Sequence, residues 1–235
     1  MKIKHKSTPF LTNISERTLY MKFPFFASFV IFILILQHNI NKGKKAQAQM
    51  ESEFWNRESS ANDVRKRSLD DLVYVSFTSD SFYPLNLLDA SLSSDFLTKY
   101  PEAKEILSRF LVLETKKIVN LSAFSNTDLK FKYGVANLVT LTEYDSNFNE
   151  LITLLHKYGE LFAKEGYESQ ALFIWEYAVS IGSDISSTYT LCAGIYHKNK
   201  DHTKLQWLKK EAESISTSRK DIIVRKLQEF DLCND

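Results

Sequence analysis

Every residue from Phe23 to Leu36 is apolar except Ser28, with Pro24 near the start. A run of this kind is not left in water, so where it goes constrains the fold before anything else does. Extended through "QHNI" to Ile40 it covers about eighteen residues, a little under the ~20 that cross a bilayer. Lys22 and Lys42 stand near its ends, where long basic side chains reach for water. The spacing therefore predicts a transmembrane anchor over 23–40, behind a basic tail over 1–22. Two other readings stay open. The run also suits the core of a signal peptide, with Ala46 and Ala48 of "AQAQ" as an A-x-A cleavage site and an exported domain behind it. Against this, a basic, polar stretch separates Leu36 from Ala46. Burial as an ordinary core helix is the third reading.

Charge sets the expected side. Lys2, Lys4, Lys6, Arg17 and Lys22 precede the run, and Lys42, Lys44 and Lys45 follow it. Translation from Met21 instead of Met1 removes four of the first group. With "NKGKK" (Asn41 to Lys45) then dominating, positive charge holds the C-terminal side inside. Cys192 and Cys233 have no CxxC partner and read as free thiols of a reducing compartment. The expectation is a single-pass protein of the cell membrane whose C-terminal domain faces the cytoplasm. Residues 1–45 hold eight Lys or Arg and one acid, leaving 22 basic against 28 acidic side chains in the remainder. That remainder lacks the positive field nucleic acid requires. Six glycines and four prolines exclude a collagen-like or linker-rich chain, and 17 Phe with 11 Tyr argue against disorder.

Behind the anchor, residues 41–71 mix charges with the pair Phe54–Trp55 and the basic triplet Arg65-Lys66-Arg67. Val73, Val75 and Phe77 alternate with polar residues, a short strand signal that Pro84 and Asn86 break, so 72–96 reads as an extended connector. From Leu97 the period becomes helical. Pro101 suits a first helical position, and Ile106, Phe110 and Leu113 share an apolar face. "SNTD", Ser125 to Asp128, can cap the next helix, and Asp145 or Ser146 another from Phe148 to about Glu165, ended by Gly166. Residues 97–151 are therefore expected to be capping helices, and Arg219 to Phe230, within 218–235, a closing one.

Residues 152–217 carry a repeat. In the first unit Leu155, Tyr158, Gly159, Phe162, Ala171, Trp175 and Ala178 alternate large and small side chains at one-turn spacing. Gly159 and Ala171 remove bulk where two helices cross, and Phe162 and Trp175 fill the space beside the crossing. About thirty-four residues on, Tyr189, Cys192-Ala193, Tyr196, Leu205 and Ala212 return in the same order. Lys209 replaces the second aromatic, and Leu205 is bulkier than a small residue should be. The pattern resembles the tetratricopeptide repeat, a helix-turn-helix unit of this length. The resemblance implies an all-α fold, a short α-solenoid of antiparallel hairpins behind the transmembrane helix. The layout also resembles that of uncharacterised clostridial, hence bacterial, proteins with one membrane span. "KKAQAQMESEFWNRE" (Lys44 to Glu58), "RKRSLDDL" (Arg65 to Leu72) and "SNTDLKFKYG" (Ser125 to Gly134) carry that likeness, which implies a membrane-tethered domain and no reaction.

No motif points to chemistry. There is no phosphate-binding glycine loop, no GxSxG serine, and no cofactor motif. Cys192, His197 and His202 lack the fourth partner a zinc site needs. The function expected is therefore a membrane-tethered scaffold without catalysis, touching the bilayer through 23–40 and a protein or peptide through its repeats. His156, Lys157 and Glu160 of one unit and Thr190, His197 and Lys198 of the other are the candidate groove residues. The alternative is a structural or self-associating module. The oligomeric state is not readable from the sequence.

Overall fold

The computed structural model describes the backbone of residues 13–232 and the side chains of residues 26–230 except Leu85. The described residues are all-α, with no strand among them. The chain divides into two units, 1–59 and 60–235. The first consists, where described, of helix α1, Asn13–Asn62, which runs on into the second.

Among the described residues no helix is long and apolar enough to cross a membrane, which corrects the anchor expected over 23–40. The apolar run, Phe23 to Leu36, covers about 21 Å at 1.5 Å of rise per residue, against a hydrocarbon layer of ~30 Å. Gln37, His38, Asn39, Asn41 and Lys42 follow in the same helix. The bilayer as partner, the single-pass membrane placement with its cytoplasmic domain, and the membrane-tethered scaffold are corrected with it. The basic tail up to Thr12, and Cys233, lie outside the described residues.

The second unit begins with an irregular strap over 63–78. Val75 N–H donates to the Ile118 carbonyl at 2.9 Å, but no ladder follows. The short helices Ser79–Phe82 (3₁₀) and α2, Pro84–Leu87, come next. Then follow α3, Ala90–Lys99; α4, Pro101–Glu114, with its proline in the first turn; and α5, Asn126–Tyr133. Ser125 and Asp128 close α5 with a reciprocal capping box, satisfying two free N–H groups. The long α6, Leu138–Lys164, is followed by α7, Glu168–Ser180; α8, Ser186–Lys198; α9, His202–Ser214; and α10, Lys220–Leu232.

The strap is tied down by backbone geometry. Gly134 adopts φ 85°, and a Cβ there would stand 2.3 Å from the Arg65 carbonyl oxygen. Only glycine permits that approach. Arg67 N–H donates to the Tyr133 carbonyl, and the Asn137 amide, itself buried, donates to both the Arg67 and Tyr133 carbonyls at 2.7 Å. The stretches Arg65–Leu72 and Ser125–Gly134, distant in sequence, thus meet around a small core of Val119, Leu121, Leu129, Tyr133 and Leu141.

The main core runs from Phe77 to Leu227. Phe77 and Phe82 stack at 5.6 Å and meet Phe110, and Tyr158 donates from its hydroxyl to the Phe82 carbonyl at 2.9 Å. Leu155, Tyr158, Phe162, Ala171, Trp175 and Ala178 lie in this core, as do Tyr189, Ala193, Tyr196, Leu205 and Ala212. Their burial does not make two equal repeats. The unit read as starting at Ile152 begins in the middle of α6, which is continuous for 27 residues, whereas α8 has 13. At the first crossing a Cβ on Gly159 would meet Trp175 Nε1 at 2.2 Å. At the second, Ala193 stands in place of Gly159, and Leu208 is buried in place of the aromatic.

Candidate functional site

Two surfaces of the molecule offer more than a solvated helix face. The first lies in unit 60–235. A groove of about 800 Å³ runs between α4 and α6. Helical spacing brings Glu102, Glu105 and Arg109 to one edge and Glu150, Lys157 and Glu160 to the other. Arg109 Nε donates to Glu150 Oε1 at 2.7 Å and crosses the groove, joining the two helices. The lining is charged, with both signs present, and the Arg109–Glu150 pair bridges it.

The candidate groove residues do not come together. Lys157 and Glu160 line the α4–α6 groove. His156, one position earlier, turns the other way and clamps the first turn of α8. Its Nδ1 lies 2.9 Å from Thr188 Oγ1 and its Nε2 lies 3.0 Å from Ser187 Oγ. Burial pushes the imidazole pKa down; the neighbouring Lys157 adds to this and Glu160, 3.7 Å away, opposes it. A serine on an imidazole suggests a nucleophile and its base. The partner on Nδ1, however, is a hydroxyl where a triad has a carboxylate, so the arrangement is not that of a triad. Thr190 donates back to the Ser187 carbonyl within its own helix. Lys198 pairs with Glu168 at 2.6 Å. His197 faces Phe230, ring centroids 6.2 Å apart, and its Nε2 is buried without a hydrogen-bond partner among the described residues.

Cys192 is buried, and burial pushes its thiol far above the usual range, so it is not a ready nucleophile. Beside it Tyr196 donates to Glu176 Oε1 at 2.6 Å and Lys204 donates to Oε2 at 2.7 Å, tying α7, α8 and α9 together. Among the described residues no three His, Cys, Asp or Glu side chains gather as a metal site would require.

The second surface is α1. Phe26, Phe29, Ile33, Leu36, Ile40, Met50 and Phe54 are 36–67% exposed, and Phe32, Leu34 and Ile35 are exposed as well. Between Phe26 and Leu36 the helix is apolar around its whole circumference. Those side chains offer on the order of 800 Å² of apolar surface, above the few hundred of an ordinary monomer's largest patch. Beyond Leu36 the helix is polar with isolated apolar positions, and Gln49 donates to Glu53 one turn on at 2.8 Å. Phe54 and Trp55 meet edge to face at 5.4 Å.

Sequence reasoning singled out Lys157 and Glu160 but not Arg109 or Glu150, because no spacing rule relates residues on helices so far apart in the chain. No protein-family model, no curated protein and no solved structure matches this chain. With the unequal hairpins described above, this corrects the resemblance to the tetratricopeptide repeat and to the clostridial proteins.

Proposed function

We propose that the chain is a non-catalytic helical module that works by association through α1. One observation carries this: the apolar side chains from Phe26 to Leu36 have no cover within their own unit. Apolar surface on this scale is buried in a protein's working state, because exposure costs roughly 25 cal/mol for each Å². Residues 60–235 form a well-packed body with its own core, which association through α1 presents to its surroundings. The Arg109–Glu150 pair across the α4–α6 groove and the hydroxyl partners of His156 support a non-catalytic reading.

The test is the particle mass of the full chain in a detergent-free extract of the expressing cell. The expected result is a complex of at least twice the monomer mass. Paired substitutions Ile33→Glu and Leu36→Glu are expected to reduce it to the monomer while the helical circular dichroism of residues 60–235 persists. A wild-type chain that is monomeric, or that is recovered only with the membrane pellet, overturns the proposal.

A further inference from the structure

We infer that what covers α1 is the same helix of a second copy of this chain, parallel and in register. The inference rests on the association reading above and names its partner. Phe26, Ile33, Ile40 and Phe54 fall on one position of a seven-residue repeat, with Gln47 the polar member. Phe29, Leu36 and Met50 fall three residues on, with Gly43 the small member. Within the block from Phe26 to Leu36 that register says little, since nearly every position is apolar. Its weight comes from the polar stretch that follows. Of the four large apolar side chains between Gln37 and Trp55 – Ile40, Met50, Phe54 and Trp55 – three sit on the seam. Lys42, Lys44, Lys45, Glu51 and Glu53 all sit off it.

A repeat of 3.5 residues is what two supercoiled helices demand of each other, since it keeps one stripe facing the partner throughout. A partner of any other shape has no use for it. The seam from Phe26 to Phe54 covers about four heptads and ~42 Å of helix, and its last two, from Ile40 to Phe54, are where the register discriminates. The seam side chains are exposed along this length, so no residue of the same unit competes for them.

Orientation follows from where the apolar block lies. Parallel pairing in register sets block on block, Met50 on Met50 and Phe54 on Phe54. Antiparallel pairing centred on the block moves Met50 and Phe54 to opposite ends of the pair, so neither side chain meets its own kind. The wide apolar face around Ile31, Phe32 and Leu34 favours further copies joining the same parallel bundle.

The experiment uses the purified full chain with Cys233→Ser, Cys192 being buried. Gln47→Cys places a thiol on the seam, where parallel partners bring the two Cα atoms within the ~4.4–6.8 Å that a disulfide spans. Lys45→Cys places one on the outer face. Under mild oxidation the seam variant is expected to crosslink at least fivefold more than the outer one, and sedimentation is expected to give a dimer or larger oligomer. Equal crosslinking, or none on the seam, overturns the parallel register. A purified chain that is monomeric, while the extract holds a larger complex, overturns this inference and leaves the association reading standing. A chain that stays monomeric and sediments with phosphatidylcholine vesicles overturns both.

Discussion

Where α6 crosses α7, Trp175 lies over Gly159 so closely that a Cβ would stand 2.2 Å from the indole nitrogen, which itself donates to the His156 carbonyl at 3.1 Å. Where α8 crosses α9, leucines do the work: Leu205 and Leu208 are buried in the same core as Cys192 and Ala193, and Ala193 stands where the first joint has Gly159. The two hairpins have the same residue spacing and different joints. The first is held by one large side chain seated in one small gap. The second is held by several mid-sized side chains and by the polar clamp of Tyr196, Glu176 and Lys204. A spacing in the sequence therefore specifies which residues face inward, while the volumes at the crossing decide how the helices meet.

Removing the large partner tests the first joint hardest. Trp175→Ala is expected to lower the stability of unit 60–235 by about 3–5 kcal/mol, the range for a buried aromatic cut to alanine. It empties the gap above Gly159 and leaves the His156 carbonyl without its donor. Urea unfolding followed by circular dichroism reads the change. A loss under about 1 kcal/mol would mean that the crossing is not organised around this ring.

Filling the gap should hurt less than emptying it. Gly159→Ala pushes a methyl into the indole, so the ring and α7 must shift; about 1–3 kcal/mol is expected, as for other overpacked cores. A glycine away from the crossing goes the other way. Gly194→Ala meets nothing within 4 Å and sits in the interior of α8, so it is expected to gain about 0.5–1 kcal/mol from helix propensity. Opposite signs for the two glycine-to-alanine changes would show that the penalty at Gly159 comes from the packed joint and not from the helix. Equal signs, measured by thermal and urea unfolding of the full chain, would mean that the indole does not constrain Gly159.

Parts of this arrangement are readable in the chain and parts are not. Pro101 and the Ser125–Asp128 pair are local signals, acting within one turn, and the structure uses both at helix starts. The apolar period likewise shows which faces are buried, because burial follows from spacing alone. The start of α6 is hidden. Asp145 and Ser146 look like a cap, yet the helix passes through them, and Asp145 instead accepts from the Leu121 N–H at 3.0 Å. A cap signal competes with a tertiary partner that the sequence does not reveal. The sequence reads as one helix from Leu129 through Gly134 to Tyr144; the chain instead breaks at Gly134, which ends α5 and admits the Arg65 carbonyl of a strap about seventy residues upstream. The α4–α6 groove is hidden for the same reason, since Arg109 and Glu150 meet only through the packing of their helices. For α1, a hydrophobic count alone suggests a span, whereas the apolar run is shorter than a bilayer and polar residues close it.

The smallest expected effect lies between the hairpins, at His156, and its sign follows from linkage. The imidazole is buried against Ser187 and Thr188, with Lys157 adding to the cost of charging it and Glu160 reducing that cost. Its folded pKa therefore lies below the ordinary 6.5 of an unfolded chain. Below pH 6.5 the unfolded chain binds this proton before the folded chain does, so stability falls as pH drops through that value and levels off once the folded pKa is passed. Above about pH 7 the group contributes no slope, because both states hold it neutral. The carboxylate of Glu165, held low by hydrogen bonds from Lys99 and then Tyr100, acts in a separate window, adding stability that is lost at pH values below the usual carboxylate range. Urea unfolding at pH 7.5, 6.5 and 5.5 separates the two, since only the histidine titrates across that interval. His156→Asn retains a polar side chain that can meet Ser187 or Thr188 but does not ionise, so it is expected to flatten the profile between pH 7 and 5.5. An unchanged slope in that variant would show that the joint between α6 and α8 is insensitive to charge on this ring. The contrast with the α6–α7 joint, where volume decides, would then extend to a second contact held by shape alone.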